Sequence, residues 1–221
     1  MAAPTNDDSR DVVLARIRAA LAHDVPPRIA HGGQETPMHI LVSSDDHEAR
    51  IAMFAERVEE YRADVHLATS ATITEMITSA IARRGAASIV IPADLPVMWR
   101  PSTVACVEDG ALSAATLDTM DGVITGCALA IAQTGTIVLD GSVAQGRRVI
   151  SLLPDFHLCV VRASQIHGIV PEAIAALEAE ARHRRPLTFI SGPSATSDIE
   201  LHRVEGVHGP RTLVVVVITD A

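Results

Sequence analysis

The sequence has no lysine: all 18 basic residues are arginine, set against 27 acidic ones, for a formal net charge of −9. Without an amine side chain there is no Schiff-base chemistry and no P-loop lysine for a nucleotide phosphate. An acidic chain without a basic stripe is also a poor partner for nucleic acid. Aromatic residues make up 2% of the chain: Phe54, Phe156, Phe189, Tyr61 and Trp99. Little is left to stack on a base or a sugar, so the core has to be built from Ile, Val, Leu and Ala. The three cysteines, Cys106, Cys127 and Cys159, lie too far apart for metal-ligand spacing. No in-chain iron–sulfur cluster or zinc ribbon is therefore expected, and the scatter fits buried thiols in a reducing compartment. The longest apolar run, 213–218, is too short to cross a bilayer, and the N-terminus has no charged-then-apolar signal pattern. A cytoplasmic protein is expected. GxGxxG, GxSxG, HExxH and GxxxxGK[ST] are all missing.

What is present is an alternation of short apolar runs and amphipathic stretches, in a chain that is 48% apolar. Residues 9–22 read as an amphipathic helix capped by Ser9, with Val13, Ile17, Ala20 and Leu21 on one face. Pro26-Pro27, Gly32-Gly33 and Pro37 make a linker, so 1–37 form a helical arm and 38–221 the main domain. In that domain strands are expected at 38–42, 65–68, 88–91, 104–107, 123–125, 136–139, 158–161, 187–190 and 213–218. Helices are expected after Ser43-Ser44-Asp45 (Ile51, Phe54, Ala55, Val58), after Thr69 or Ser70 (Ile73, Ile77, Ile81), over 126–133, over 144–152, from Ser164 (Ile166, Ile169, Val170, Ala173, Ile174, Leu177), and as a short turn near 196–201. Gly85 suits a helix C-terminus. This pattern predicts an α/β fold: a mostly parallel sheet with helices on both faces, plus the N-terminal arm.

Ligands of such sheets bind at the strand C-terminal ends. Four segments are expected there: Thr125-Gly126, Asp140-Gly141-Ser142, Ala163-Ser164 and Ser191 through Ser194. Gly192 permits a tight exit, Pro193 presets a turn, and Ser194 and Thr196 offer hydroxyls at a helix start that attracts anions. Ser197-Asp198-Ile199-Glu200 equally reads as a capping box. Thr134-Gly135-Thr136 resembles a phosphate loop but reads more simply as a helix end followed by a strand. Arg147 is chosen as the anion contact, because a cation at a helix start opposes the helix dipole and calls for another reason. The expected ligand contacts are thus Thr125, Gly126, Ser142, Arg147, Gly192, Ser194, Thr196 and His208. Asp198 and Glu200 are the candidate catalytic carboxylates, with Asp118, Asp121 and Asp140 behind them. His157, His202 and His208 lie near the same loops.

The run from Gly122-Val123-Ile124-Thr125-Gly126 through Thr134-Gly135-Thr136, Arg147 and Ser151-Leu152-Leu153-Pro154-Asp155-Phe156-His157 resembles the LUD-domain family. So do Ser191-Gly192-Pro193-Ser194, Thr196, Asp198-Ile199-Glu200 and Gly206-Val207-His208-Gly209-Pro210. The likeness is to its lactate utilisation protein C branch and covers about half the chain; Gln133 stands where the family is expected to have Glu. The resemblance implies a fold like the NagB/RpiA/CoA-transferase group and a role in oxidising L-lactate to pyruvate. It implies iron–sulfur partner subunits that carry the electrons, with no cofactor in this chain. Homo-oligomerisation through the arm is a further expectation. The fold group alone would allow the alternative of a stand-alone sugar-phosphate isomerase or acyl/CoA-transferase.

Overall fold

The computed structural model describes residues 6–22, 46–180, 185–197, 203–205 and 209–221. The chain divides into two compact units, Met1–His39 and Ile40–Ala221. In the first lies α1 (Asn6–Ala22), which begins before Ser9, so Ser9 sits inside the helix and does not cap it. Val12, Val13 and Ile17 of α1 are exposed.

The second unit runs α2 (His47–Glu60), β1 (Asp64–Ala68), α3 (Ile73–Arg84), β2 (Ser88–Ile91), β3 (Ala105–Glu108), α4 (Ala114–Asp118), β4 (Gly122–Thr125), β5 (Leu129–Ile131), β6 (Thr136–Leu139), β7 (Phe156–Arg162), β8 (Ile166–His167), α5 (Val170–Glu180), β9 (Thr188–Ile190), β10 (Ala195–Ser197), β11 (Arg203–Glu205) and β12 (Thr212–Ile218). Six strands form an all-parallel sheet in the order β1-β12-β7-β4-β2-β3. The central strands are continuous apolar runs because both faces are covered. On one face Ile73, Ile77 and Ile81 of α3 meet Ile89, Ile124, Leu158 and Val216. On the other, Phe54 and Val58 of α2 meet Cys159, Val161, Val215 and Val217.

That second face also carries an element absent from the sequence reading. A four-stranded sheet in the order β8-β5-β6-β9 packs over it, with β5–β6 and β6–β9 antiparallel. The helix expected over 126–133 is β5 and its turns. The cause is burial on both sides: Ala130 and Ala132 enter the core beneath α2, while Leu129 and Ile131 enter a second core with Val138, Ala173 and Leu177. A helix would bury one stripe, and here packing overrides the helix preference of alanine.

Other corrections have local causes. The helix expected over 144–152 is a single 3₁₀ turn, Arg148–Ser151, because Ala144 and Gly146 both take left-handed φ (61° and 68°). The long helix from Ser164 starts only at Val170. Ala163–Gln165 is a 3₁₀ turn, Ile166–His167 pairs with β5, and Val170 and Ile174 are exposed. Pro171 forces this late start, since it brings no N–H to an earlier turn; Glu172 instead accepts from Gly168 and Ile169. The cap of α2 is Asp46, accepting from Ala49 N–H, and that of α3 is Thr72, not Thr69 or Ser70. Thr196 and Ser197 lie in β10, paired antiparallel with β11, so the expected helical turn does not begin at these two residues; the rest of it, 198–201, lies outside the described residues. The linker at 24–37 and the strand at 38–42 lie outside the described residues, as do Ser43, Ser44 and Asp45.

Candidate functional site

Two cavities lie on either side of the 3₁₀ turn Arg148–Ser151 and β9. The first, about 530 Å³, lies at the C-terminal ends of β2, β3 and β6, between Pro92–Asp94, Asp109, Asp140–Gly141, Gln145–Arg148 and Arg185–Thr188. This is where an open parallel sheet is expected to bind. The second, about 360 Å³, opens at the beginnings of β7 and β12 and is walled by His157, Leu213, Gly209, Pro210 and the Ser191–Ala195 loop. Arg148, Ser151 and Thr188 line both, so the cavities meet along the 3₁₀ turn and β9. Each has the volume of an ordinary small-molecule site.

The loop that floors the first cavity is held by one buried amide. Gln145, 2% exposed, accepts through Oε1 from the N–H groups of Asp140 and Gly141 (2.7 and 3.1 Å) and donates through Nε2 to Ser142 Oγ (2.7 Å). Ser142 therefore shapes the loop and does not line either cavity. Arg147 is committed as well: its Nε and Nη2 donate to the Asp109 carboxylate at 2.8 and 2.5 Å, and Nη2 also to the Leu112 carbonyl. The guanidinium holds the Asp109 carboxyl below the usual carboxylate range. Replacing Arg147 with Ala would leave a carboxylate whose side chain is 2% exposed without its cation. Such a loss costs about 2 kcal/mol, measurable as a shifted denaturant midpoint with an unchanged slope. Arg147→Ala thus serves as a stability variant rather than a ligand variant.

The next residue has no such tie. Arg148 is exposed and lines both cavities, and its guanidinium has no hydrogen-bond or ion-pair partner among the described residues. Arg185 faces Asp140 across the first cavity at a loose 3.9 Å. Among the described residues the free cation at the junction is therefore Arg148.

Below it, His157 is 1% exposed and bonds through Nε2 to Thr125 Oγ1 at 2.8 Å. Thr125 is fully buried behind the imidazole and lines neither cavity. Burial drives the imidazole pKa down to about 4, so the ring is neutral at physiological pH. The unfolded chain binds this proton near pH 6.5 and the folded one only near 4, so stability rises with pH between those values. His157 is expected to withdraw about 3 kcal/mol as pH falls from 6.5 to 4, with no further change below that. Denaturant melts at pH 7 and 5 check this: His157→Gln should flatten the difference.

The Ser191–Ser194 loop does not sit where the sequence placed it. Since β9 runs antiparallel to β6, it delivers Ser191 to the start of β6, where Ser191 Oγ lies 2.8 Å from Thr136 Oγ1. Ser194 donates its N–H to the Pro210 carbonyl (2.8 Å). Gly192, at φ 82°, packs on Tyr61, where a Cβ would collide with the Tyr61 side chain. Gly126 lies under Trp99 and donates its N–H to the Ala144 carbonyl. Of the expected contacts, Arg147 borders the first cavity and Gly192 and Ser194 the second; Thr125, Gly126 and Ser142 support them from behind. Thr196 is in β10, and Asp198, Glu200, His202 and His208 lie outside the described residues. Asp121 caps the start of β2, accepting from the N–H groups of Ala87 and Ser88. Among the described residues no group of His, Cys, Asp or Glu is arranged to hold a metal ion, and no helix is long and apolar enough to cross a membrane.

Residues 108–218, which contain both the Asp109–Arg147 pair and the His157–Thr125 pair, match the LUD domain. The chain belongs to the LUD-domain family, in its lactate utilisation protein C branch. It is 48% identical over 166 residues to lactate utilization protein C of Deinococcus radiodurans, a match covering 75% of this chain and 77% of that one. Lactate utilization protein C of Geobacillus thermodenitrificans is 25% identical over 96% of this chain and 97% of its own length. The crystal structure of a DUF162 family protein from D. radiodurans superimposes with a TM-score of 0.68 at 38% identity, over 78% of this chain and 98% of that one. The mostly parallel α/β fold of the LUD family member is thus the one expected from its sequence pattern.

Proposed function

We propose that this LUD-domain chain is a component of a lactate utilisation system, a subunit that binds a small anionic ligand while iron–sulfur partner proteins carry the electrons of L-lactate oxidation to pyruvate. The observation that carries the reading is the 48% identity, across three-quarters of both chains, to a protein named lactate utilization protein C. The geometry agrees with it. Arg148 offers an unpaired guanidinium at the junction of two cavities, and a guanidinium matches a carboxylate in two parallel hydrogen bonds. The fixed Gln145 loop and the Asp109–Arg147 pair keep the walls around it preorganised.

The test is made in extracts. A strain lacking this chain should lose L-lactate-dependent reduction of an artificial electron acceptor, and adding back the purified chain should restore it. Iron–sulfur proteins, recognised by their visible absorbance, should co-purify with the tagged chain. Full lactate-dependent reduction in the deletion extract would remove the reading.

A further inference from the structure

We infer that the second cavity is a binding site in its own right for a small hydroxy- or keto-carboxylate, with the carboxylate on the Arg148 guanidinium and the C2 oxygen on Nδ1 of His157. It lies at the beginnings of β7 and β12, the end of the sheet opposite to the one where this fold is expected to bind.

Three polar groups converge there. Arg148 supplies an unpaired cation at the rim. Ser151, 3% exposed, lines the wall, its hydroxyl donating to the Arg148 carbonyl at 3.0 Å and so holding the turn that carries the cation. His157 forms the floor. Its Nε2 is taken by Thr125, while Nδ1 has no hydrogen-bond partner among the described residues. The ring lines the cavity, and Nδ1 is the nitrogen it has left for a ligand there. A buried nitrogen left unpaired by a ligand is costly, so a simple anion that satisfies Arg148 alone is a poorer fit than one carrying a second oxygen beside its carboxylate.

The Thr125–His157 pair adds a property suited to such acids. When the Thr125 hydroxyl accepts from Nε2–H, Nδ1 is a lone pair and accepts from a hydroxyl. When Thr125 donates to Nε2, Nδ1–H donates to a keto oxygen. The two arrangements differ by a tautomer of a neutral ring and a rotation of one hydroxyl, with no charge to bury. One site can thereby hold the reduced and the oxidised form of the same acid.

The expectation that the acid is lactate or pyruvate rests on the function proposed above; the existence of the site does not. The test uses the purified full chain with L-lactate, pyruvate, propionate and inorganic phosphate, followed by titration calorimetry. Lactate and pyruvate should bind about tenfold or more tighter than propionate, which has the same carbon count and no C2 oxygen. Thr125→Val and His157→Gln should erase that preference. Because either variant can lose stability, the unmodified chain supplies a second readout: the ¹⁵N resonances of the His157 ring should move with lactate and pyruvate and stay put with propionate. Equal affinity for propionate, or ring resonances unmoved by all three acids, would overturn the inference. Loss of the preference in a chain that still supports lactate oxidation removes this site alone. A clear preference in a chain that lactate oxidation does not need leaves the site standing and removes the lactate assignment.

Discussion

Gly135→Ala is expected to lower the melting temperature by about 10 °C. Gly135 closes the turn between β5 and β6 at φ 56°, with its N–H donating to the Ala132 carbonyl. A Cβ there would meet the backbone of α2, 2.7 Å from the Arg57 carbonyl carbon and 2.8 Å from the Val58 nitrogen. A flexible side chain could swing aside, but a helix backbone cannot, so α2 would have to lift. Its Phe54 and Val58 are completely buried against the sheet, and lifting it opens that core. A left-handed φ for alanine costs about 1 kcal/mol or more and overpacking about 1–3, and a chain of this length loses roughly 2–4 °C per kcal/mol. Calorimetric melting of the purified variant checks the figure. A drop below 2 °C would mean that α2 does not rest on this turn. The same result would explain the Thr-Gly-Thr segment structurally: its glycine is a contact between hairpin and helix, not a phosphate cradle.

Arg148→Ala is expected to do the reverse, leaving the fold alone and removing function. The side chain is exposed and makes no bond among the described residues, so its loss should move the melting temperature by no more than about 2 °C. Loss of a charge-assisted contact to a carboxylate costs about 1.5–3 kcal/mol, a tenfold to hundredfold weaker ligand. Arg147→Ala is the matched control. It should cost stability through Asp109 and have a smaller effect on ligand affinity. If Arg147→Ala weakened the ligand more than Arg148→Ala did, the anion would be held by the neighbouring guanidinium.

Much of the sheet was legible in the sequence. β2, β4, β7 and β12 are short β-branched or apolar runs bounded by turn residues, and burial on both faces makes them read as nearly uninterrupted apolar segments. The second sheet was not. Leu129-Ala130-Ile131 is too short to show a period, and alanine argues for helix until both of its faces are known to be covered. Two apolar runs joined across Thr134-Gly135 were the available hairpin signal. Missing β5 reversed the expected direction of β9, and with it the placement of Ser191–Ser194. The site was legible as a neighbourhood and not as a set of contacts. Composition marks the Asp140–His157 stretch, but whether Arg147 or Arg148 is free depends on Asp109, 38 residues earlier. The pairing of Thr125 with His157 spans 32 residues and depends on the register of β4 against β7.

The most direct measurement is growth on L-lactate as the carbon source, in a strain deleted for this chain and complemented with either the wild type or Arg148→Ala. The account predicts no growth of the deletion strain on lactate, normal growth on pyruvate, rescue by the wild type and failure of Arg148→Ala despite normal levels of folded protein. Unimpaired growth of the deletion strain on lactate would contradict the assignment to lactate utilisation. Full rescue by Arg148→Ala would contradict the place given to the cation between the two cavities.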